Sequence, residues 1–282
     1  MEGSTITSGW LGRLSLELDK TERGTQLTRS VHEGPLRIQR VLTPEGPECP
    51  HIYLLHPPGG VVGGDRLQTR VTLGAGAQVL LTTPAAQKLY RSNGALSRIS
   101  NLLRLGVGAR LEWLPSETLA FSATQAELST RVELEANAAF IGWDIACYGM
   151  PARGETFDVG RVRSRFELFR GETPLSIETI DLGAGEDLLS GAFALRGQPV
   201  VGTLYAVPAS GAVEPDWIES VREAIGACAV EACSVSSLGE LLVVRALGHS
   251  VESVRAPLIA AWQRLRPAIL ARPPIVPRIW AT

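Results

Sequence analysis

The chain has 282 residues, a net charge of -2 and only 20% charged residues, which fits one large domain or two modest ones. That balance, with a pI near 6.1, excludes the basic footprint of a nucleic-acid-binding protein. A mean hydropathy of +0.11 is apolar for a soluble protein and predicts a surface partly covered by partners.

No apolar run reaches the roughly 18 residues of a membrane helix, and no basic-then-apolar leader opens the chain, so no membrane partner and a cytoplasmic location are expected. Cys49, Cys147, Cys228 and Cys233 are too few and too scattered for a disulfide scaffold. They read as free, partly buried thiols.

In chain order, the first element alternates strictly, with Leu14, Leu16 and Leu18 on one face and Arg13, Ser15, Glu17 and Asp19 on the other. That is a half-buried strand. Gly34–Val41 predicts another strand, and Ile52–His56 a short apolar one. Between them Thr43–Pro50, rich in proline and acidic residues, predicts an exposed hairpin loop. His56-Pro57-Pro58-Gly59-Gly60-Val61-Val62-Gly63-Gly64-Asp65 follows as a constrained turn. Its prolines fix φ, its glycines open angles closed to other residues, and a carboxylate ends it.

Strand-like runs Leu67–Leu73 and Ala77–Thr82 flank Gly74-Ala75-Gly76. The second empties into Thr82–Ser92, where hydroxyls, Gln87, Lys88 and Arg91 crowd together. The run Leu73-Gly74-Ala75-Gly76-Ala77 begins again as Leu105-Gly106-Val107-Gly108-Ala109, and in degraded form at Leu134-Glu135-Ala136-Asn137-Ala138. A period of about 30 residues, strand–turn–strand with no helix between, predicts stacked β units that bury one another's apolar faces.

Arg161–Arg170, Pro174–Asp181, Leu195–Val207 and Leu241–Ala246 are further strands. Asp216–Ala229 spaces Trp217, Val221, Ile225 and Cys228 as a helix with Pro215 at its start. Pro257–Arg266 predicts a second helix stopped by Pro267. The apolar, proline-rich tail Arg272–Thr282 is too apolar for a free end and is expected to dock without forming helix. The chain is therefore mainly β, a stacked two-layer β-helix-like solenoid with two α-helices in the C-terminal third.

The polar chemistry is narrower. Gly59–Asp65 lacks the lysine and hydroxyl of a Walker loop, and Asp65 would repel phosphate. Gly74-Ala75-Gly76 lacks the third glycine of a dinucleotide fingerprint. His32, His51, His56, His249 and the cysteines do not fall at close ligand spacing, so a permanent zinc site is not expected. What remains is oxygen chemistry from Asp65, Asp144, Glu155, Glu178 and Asp181, which holds a transition metal loosely. Structural roles compete with it: Asp65 as a cap on loop N–H groups, with Lys88 as its ion-pair partner.

Five runs in order resemble one family. They are HPPGGVVGGD (His56–Asp65), TTPAAQKLYRS (Thr82–Ser92), LEWLPSE (Leu111–Glu117), the GWD…YG…ARGE segment (Gly142–Glu155) and the terminal PRIWAT (Pro277–Thr282). Together they resemble the urease accessory protein D family, UreD or UreH, over nearly the whole chain. Met150 departs from it where an arginine is usual, and Ser116 where glutamine is usual.

The resemblance implies a single UreD-type β-helical domain over residues 1–282, with no catalytic activity, acting as a scaffold chaperone in nickel insertion. Its implied partners are apo-urease, UreF directly, and the GTPase UreG through UreF. No tightly bound cofactor is implied, only transient Ni²⁺ in an internal passage. Carried onto this sequence, the passage nominates Asp65, Glu178, Thr82 and Thr83 as oxygen donors. Lys88, His56, Asp144, Glu155 and Arg91 are supporting polar groups, and Gly59, Gly60, Gly63 and Gly64 the loop backbone. Weak, multi-site binding is what conduction requires. Two other readings stand beside it. One is a pure adaptor with no metal contact. The other is a β-helical carbohydrate-active enzyme using Asp65 and Glu178 as acid and base, with Trp113, Trp143 and Trp217 as stacking faces.

Overall fold

The computed structural model describes residues 9–184 and 189–281; Thr282, the last residue of the PRIWAT run, lies outside them. In chain order the strands are β1 (Leu11–Thr21), β2 (Gly24–Glu33), β3 (Arg37–Ile38), β4 (His51–Leu55), β5 (Arg66–Leu73), β6 (Gln78–Thr82), β7 (Gln87–Leu89), β8 (Ser97–Leu105) and β9 (Arg110–Leu114). They continue as β10 (Thr118–Ala120), β11 (Thr124–Leu134), β12 (Ala139–Tyr148), β13 (Gly160–Arg170), β14 (Thr173–Gly183) and β15 (Val200–Val207). Helix α1 (Pro215–Gly226), β16 (Ala232–Leu238), β17 (Leu241–Gly248) and α2 (Val251–Leu270) complete the order.

Two sheets stack face to face. The first runs β14-β13-β11-β8-β5-β1-β2, and the second β16-β17-β15-β12-β9-β6-β4-β3. Their centre is a parallel solenoid in which β5, β8 and β11 lie side by side in one sheet and β6, β9 and β12 in the other. The sequence repeat is the structural register: Leu73 pairs with Leu105, and Leu105 with Leu134.

The turns stack as well, Gly76 N–H donating to Val107 O and Gly108 N–H to Ala136 O, each at 2.9 Å. Gly76, Gly108 and Asn137 occupy the same turn position at φ of 66°, 66° and 55°. Asparagine is among the few non-glycine residues that tolerate this left-handed region, which explains why the third copy looks degraded yet folds alike. Antiparallel hairpins β1–β2 and β13–β14 close the first sheet at its two ends.

The first sheet buries one face only, so its strands alternate; β5 turns Leu67, Thr69, Val71 and Leu73 inward. The second is covered on both faces, which is why β6 reads as a continuous buried run, Gln78–Thr82. Val79, Leu81, Leu111 and Phe140 meet the first sheet. Leu80, Leu114, Ile141 and Ile145 meet α2 through Leu258, Ala261, Trp262 and Leu265.

Several expectations change. Helix α2 spans Val251–Leu270 and carries both Pro257 and Pro267 inside it. An interior proline costs about 3 kcal/mol, and burying Leu258, Trp262, Leu265, Ile269 and Leu270 against the sheet outweighs that. Of Gly34–Val41 only Arg37–Ile38 is strand, and β15 begins at Val200. The Thr43–Pro50 loop is not simply exposed: Cys49 and Pro50 are buried, and the Glu45 side chain is only 2% exposed. The tail docks as expected but ends in a 3-10 turn, Arg278–Ala281. Trp280 lies 5.2 Å from the Trp143 ring and 5.5 Å from Trp262.

Candidate functional site

Between the two sheets lies a cavity of about 480 Å³, its walls set by the solenoid register. Thr69, Asn101 and Thr130 pair in sequence across β5, β8 and β11 and all line it. Asn101 Nδ2–H donates to Thr130 Oγ1 at 3.1 Å, so the three form a polar ladder on an otherwise apolar inner face. Sequence reasoning missed this ladder, although its members repeat at the same spacing as the stacked turns.

Asp144 on β12 faces the same cavity from the second sheet. Ser164 on β13 donates across the gap to Asp144 Oδ2 at 3.4 Å. Asp144 is partly buried and lines the cavity. Burial pushes its pKa up, against the downward pull of the Ser164 hydroxyl and the Ile145 N–H. A second, small void of about 30 Å³ touches the first at Asp144, Ser164 and Phe166 and reaches Glu178, Thr203 and Tyr205. Glu178 Oε2 accepts the Tyr205 hydroxyl at 3.1 Å, and its other oxygen pairs with Arg245 at the rim. Burial pushes the Tyr205 phenol upward, and the Glu178 charge adds to the effect.

The other nominated residues divide by geometry. Thr83 and Lys88 line the large cavity. Thr83 Oγ1 accepts the Ser116 N–H at 2.8 Å, and the Ser116 hydroxyl returns a bond to Thr83 O at 3.1 Å, so serine serves this position directly. Thr82 points the opposite way, as neighbours along a strand must. It donates to Leu114 O at 2.6 Å and accepts the Trp280 indole N–H at 3.1 Å.

Asp65 is buried and turned onto backbone. Its Oδ1 accepts the Trp10 N–H at 2.8 Å and its Oδ2 the Val62 N–H at 3.0 Å, the capping arrangement its position allows. Lys88 makes no ion pair with it among the described residues. His56 lines the cavity, and burial holds its pKa down while Asp65 pulls it up.

The loop glycines seat the turn against the Lys88–Ala95 segment. Val61 N–H donates to Lys88 O at 2.7 Å and Tyr90 N–H to Val61 O at 2.8 Å. A side chain at Gly60 would run into the Tyr90 ring, and one at Gly63 into Ser92. Gly59 and Gly64 adopt φ of 76° and 92°. Arg91 and Glu155 are exposed. Glu155 instead pairs its backbone with Met150, whose departure from the family therefore falls on a main-chain bridge. Trp113 and Trp143 line the cavity, while Trp217, on α1, packs partly buried against the core between the second sheet and the helices. Asp65 and Glu178 thus share no cavity wall among the described residues, and the three tryptophans do not converge on one cleft.

A second buried polar cluster sits on the opposite, helix-facing side of the second sheet. Arg266 of α2 binds Glu112 of β9 through Nε at 2.8 Å and Nη2 at 3.0 Å, and Glu45 of the β3–β4 loop through Nη1 at 2.9 Å and Nη2 at 2.6 Å. Trp262 Nε1–H donates to Glu112 at 2.7 Å, and His51 Nε2 lies 2.6 Å from Glu45. Cys49 joins Glu45 and His51 there; Cys49 and His51 stand two positions apart, so the expectation that no histidine and cysteine fall at close ligand spacing is corrected.

The chain matches the UreD urease accessory protein family over residues 11–281. It is 40% identical over 278 residues to a urease accessory protein UreD 2 of Brucella anthropi, covering 98% of this chain and 100% of that protein. It is 42% identical over 278 residues to a urease accessory protein UreD of Pseudomonas fluorescens, covering 98% and 97%. A counterpart in Janthinobacterium sp. is 41% identical over 271 residues, covering 96% and 91%. With the solenoid and its interior cavity in view, these matches over almost the full length make this chain a member of the UreD urease accessory protein family.

Proposed function

We propose that this chain is a non-catalytic scaffold chaperone of the cytoplasm, bridging apo-urease and UreF, with UreG recruited through UreF, while nickel is inserted into urease. In this reading Ni²⁺ is cargo that crosses the chain between its two sheets. The observation that supports it is the Asp144–Ser164 contact, which spans a cavity large enough for a hydrated ion and adjoins the void leading to Glu178.

The donors along this line are hydroxyl, amide and carboxylate oxygens at separate levels. Among the described residues no level gathers enough of them to trap a metal, which is what passage demands. Asp65 contributes by holding the His56–Asp65 loop beside the cavity, and the Thr69–Asn101–Thr130 ladder supplies neutral donors. Thr82 contributes by seating the tail. The exposed Trp10 beside Pro57 and Pro58 borders a surface groove and gives the same end of the solenoid an apolar contact face.

Reconstitution tests the reading. Apo-urease, UreF, UreG, GTP, bicarbonate and nickel are combined with and without this chain, and urease activation is scored. Activation that depends on the chain supports the scaffold role, and equal activation without it contradicts that role.

A further inference from the structure

The loop between β3 and β4 ends in Cys49-Pro50-His51 and folds Glu45 back beneath α2. A His51 nitrogen, Cys49 Sγ and a Glu45 carboxylate oxygen all lie within 4.8 Å of one another. The three side chains are sealed, with Cys49 and His51 at 0% exposure and the Glu45 side chain at 2%. Nitrogen, sulfur and oxygen donors in one place are the ligand set of borderline divalent cations such as zinc, cobalt and nickel.

Cys49 Sγ has no hydrogen-bond partner among the described residues, and the His51 nitrogen that faces Glu45 is Nε2. The charge count agrees. In the fully buried set, the carboxylates Glu45 and Glu112 face the single guanidinium of Arg266. Arg272 stands at the rim, occupied with Gln78. With His51 bound as the neutral imidazole, a divalent ion held by one thiolate brings a net single positive charge, which balances the surplus carboxylate.

We propose that Glu45, Cys49 and His51 form a structural binding site for one borderline divalent cation, fastening the β3–β4 loop to β4 beneath α2. On binding, the Cys49 S–H bond breaks, a sulfur–metal bond forms and the proton leaves to solvent. His51 Nε2 contributes a lone pair once its 2.6 Å hydrogen bond to Glu45 opens and its proton moves to Nδ1, and Glu45 contributes an oxygen while Arg266 keeps its hold on the carboxylate. The site lies on the helix side of the second sheet, away from the cavity between the sheets, and does not depend on the passage reading. Because it is sealed, loading accompanies folding or a lifting of the loop.

The test uses full-length protein refolded in the presence of Co²⁺ and freed of excess metal. The expected result is one tightly held Co²⁺ per chain with a thiolate-to-cobalt charge-transfer absorption. That absorption is lost in Cys49→Ala and retained in the double variant Cys228→Ser/Cys233→Ser. Refolding with Co²⁺ should also raise the unfolding midpoint of the wild type and leave that of Cys49→Ala unmoved. Folded wild-type protein that holds no cobalt, the triad being closed by hydrogen bonds alone, overturns the proposal. So does a charge-transfer absorption that survives Cys49→Ala. If Cys49→Ala does not fold, the wild-type metal content and absorption decide the matter by themselves.

Discussion

Arg266 and Glu112, 154 positions apart in the chain, meet through two parallel hydrogen bonds of 2.8 and 3.0 Å with both side chains sealed from solvent. This fork joins the last helix to the middle of the solenoid. A buried guanidinium is tolerable only when its donors are met, and here Glu112, Glu45 and the Pro273 carbonyl meet them. Arg266→Met would leave two carboxylates facing each other in a dry interior. It is expected to cost about 3–5 kcal/mol, the range for breaking a buried pair, read from urea unfolding.

The same cluster predicts an acid limb. Burial pushes the Glu45 carboxyl up, but the hydrogen bonds and charges of His51 and Arg266 outweigh it and hold the pKa at about 2, below the ordinary 4.5. A carboxyl depressed on folding adds stability above its unfolded pKa and loses it as pH falls through its folded one. Urea midpoints of the metal-free protein, measured from pH 4.5 down to about 2, should therefore fall in the wild type and fall less steeply in Glu45→Gln.

The tail is a third fastening. Trp280 packs on Trp143 and Trp262 and donates to Thr82, so it closes the second sheet at its helix face. Trp280→Ala should cost roughly 2–4 kcal/mol, from lost burial plus two aromatic contacts. Thermal unfolding followed by circular dichroism measures it, and an unchanged midpoint would mean that the tail is not held.

The stacked turns give a paired prediction. Gly108 and Asn137 sit in the left-handed region at equivalent positions. Asn137→Gly should be neutral within about 0.5 kcal/mol, whereas Gly108→Val should destabilise by more than about 1 kcal/mol, because a β-branched side chain is strained at that φ. Chemical denaturation of both variants checks the contrast.

Much of this was legible in the sequence, for identifiable reasons. Leu14, Leu16 and Leu18 alternate because the first sheet has one wet face, and the Leu73, Leu105 and Leu134 turns repeat because each begins one coil of the solenoid. Strand β2 was missed because it is an edge whose residues beyond Thr25 are mostly exposed, so it carries no apolar period. The length of α2 was missed because prolines were read as boundaries, while packing over its whole length decided otherwise.

The site was harder. Asp65, Thr83 with Lys88, Asp144 and Glu178 come from four separate segments, and sequence cannot say which way each side chain faces. Thr82 and Thr83 are neighbours on opposite faces, and Asp65 spends both oxygens on backbone. Glu45, Glu112 and Arg266 gave no local signal, since their partnership exists only once the helix lies on the sheet.

The most direct measurement is the nickel content of urease matured with the Asp144→Asn/Glu178→Gln variant, which keeps side-chain shape while removing both carboxylate charges from the cavity line. With the variant still co-purifying with UreF and apo-urease, the account predicts urease carrying little nickel and correspondingly low activity. Full nickel occupancy under those conditions would contradict passage of the ion between the sheets and leave the chain as an adaptor alone.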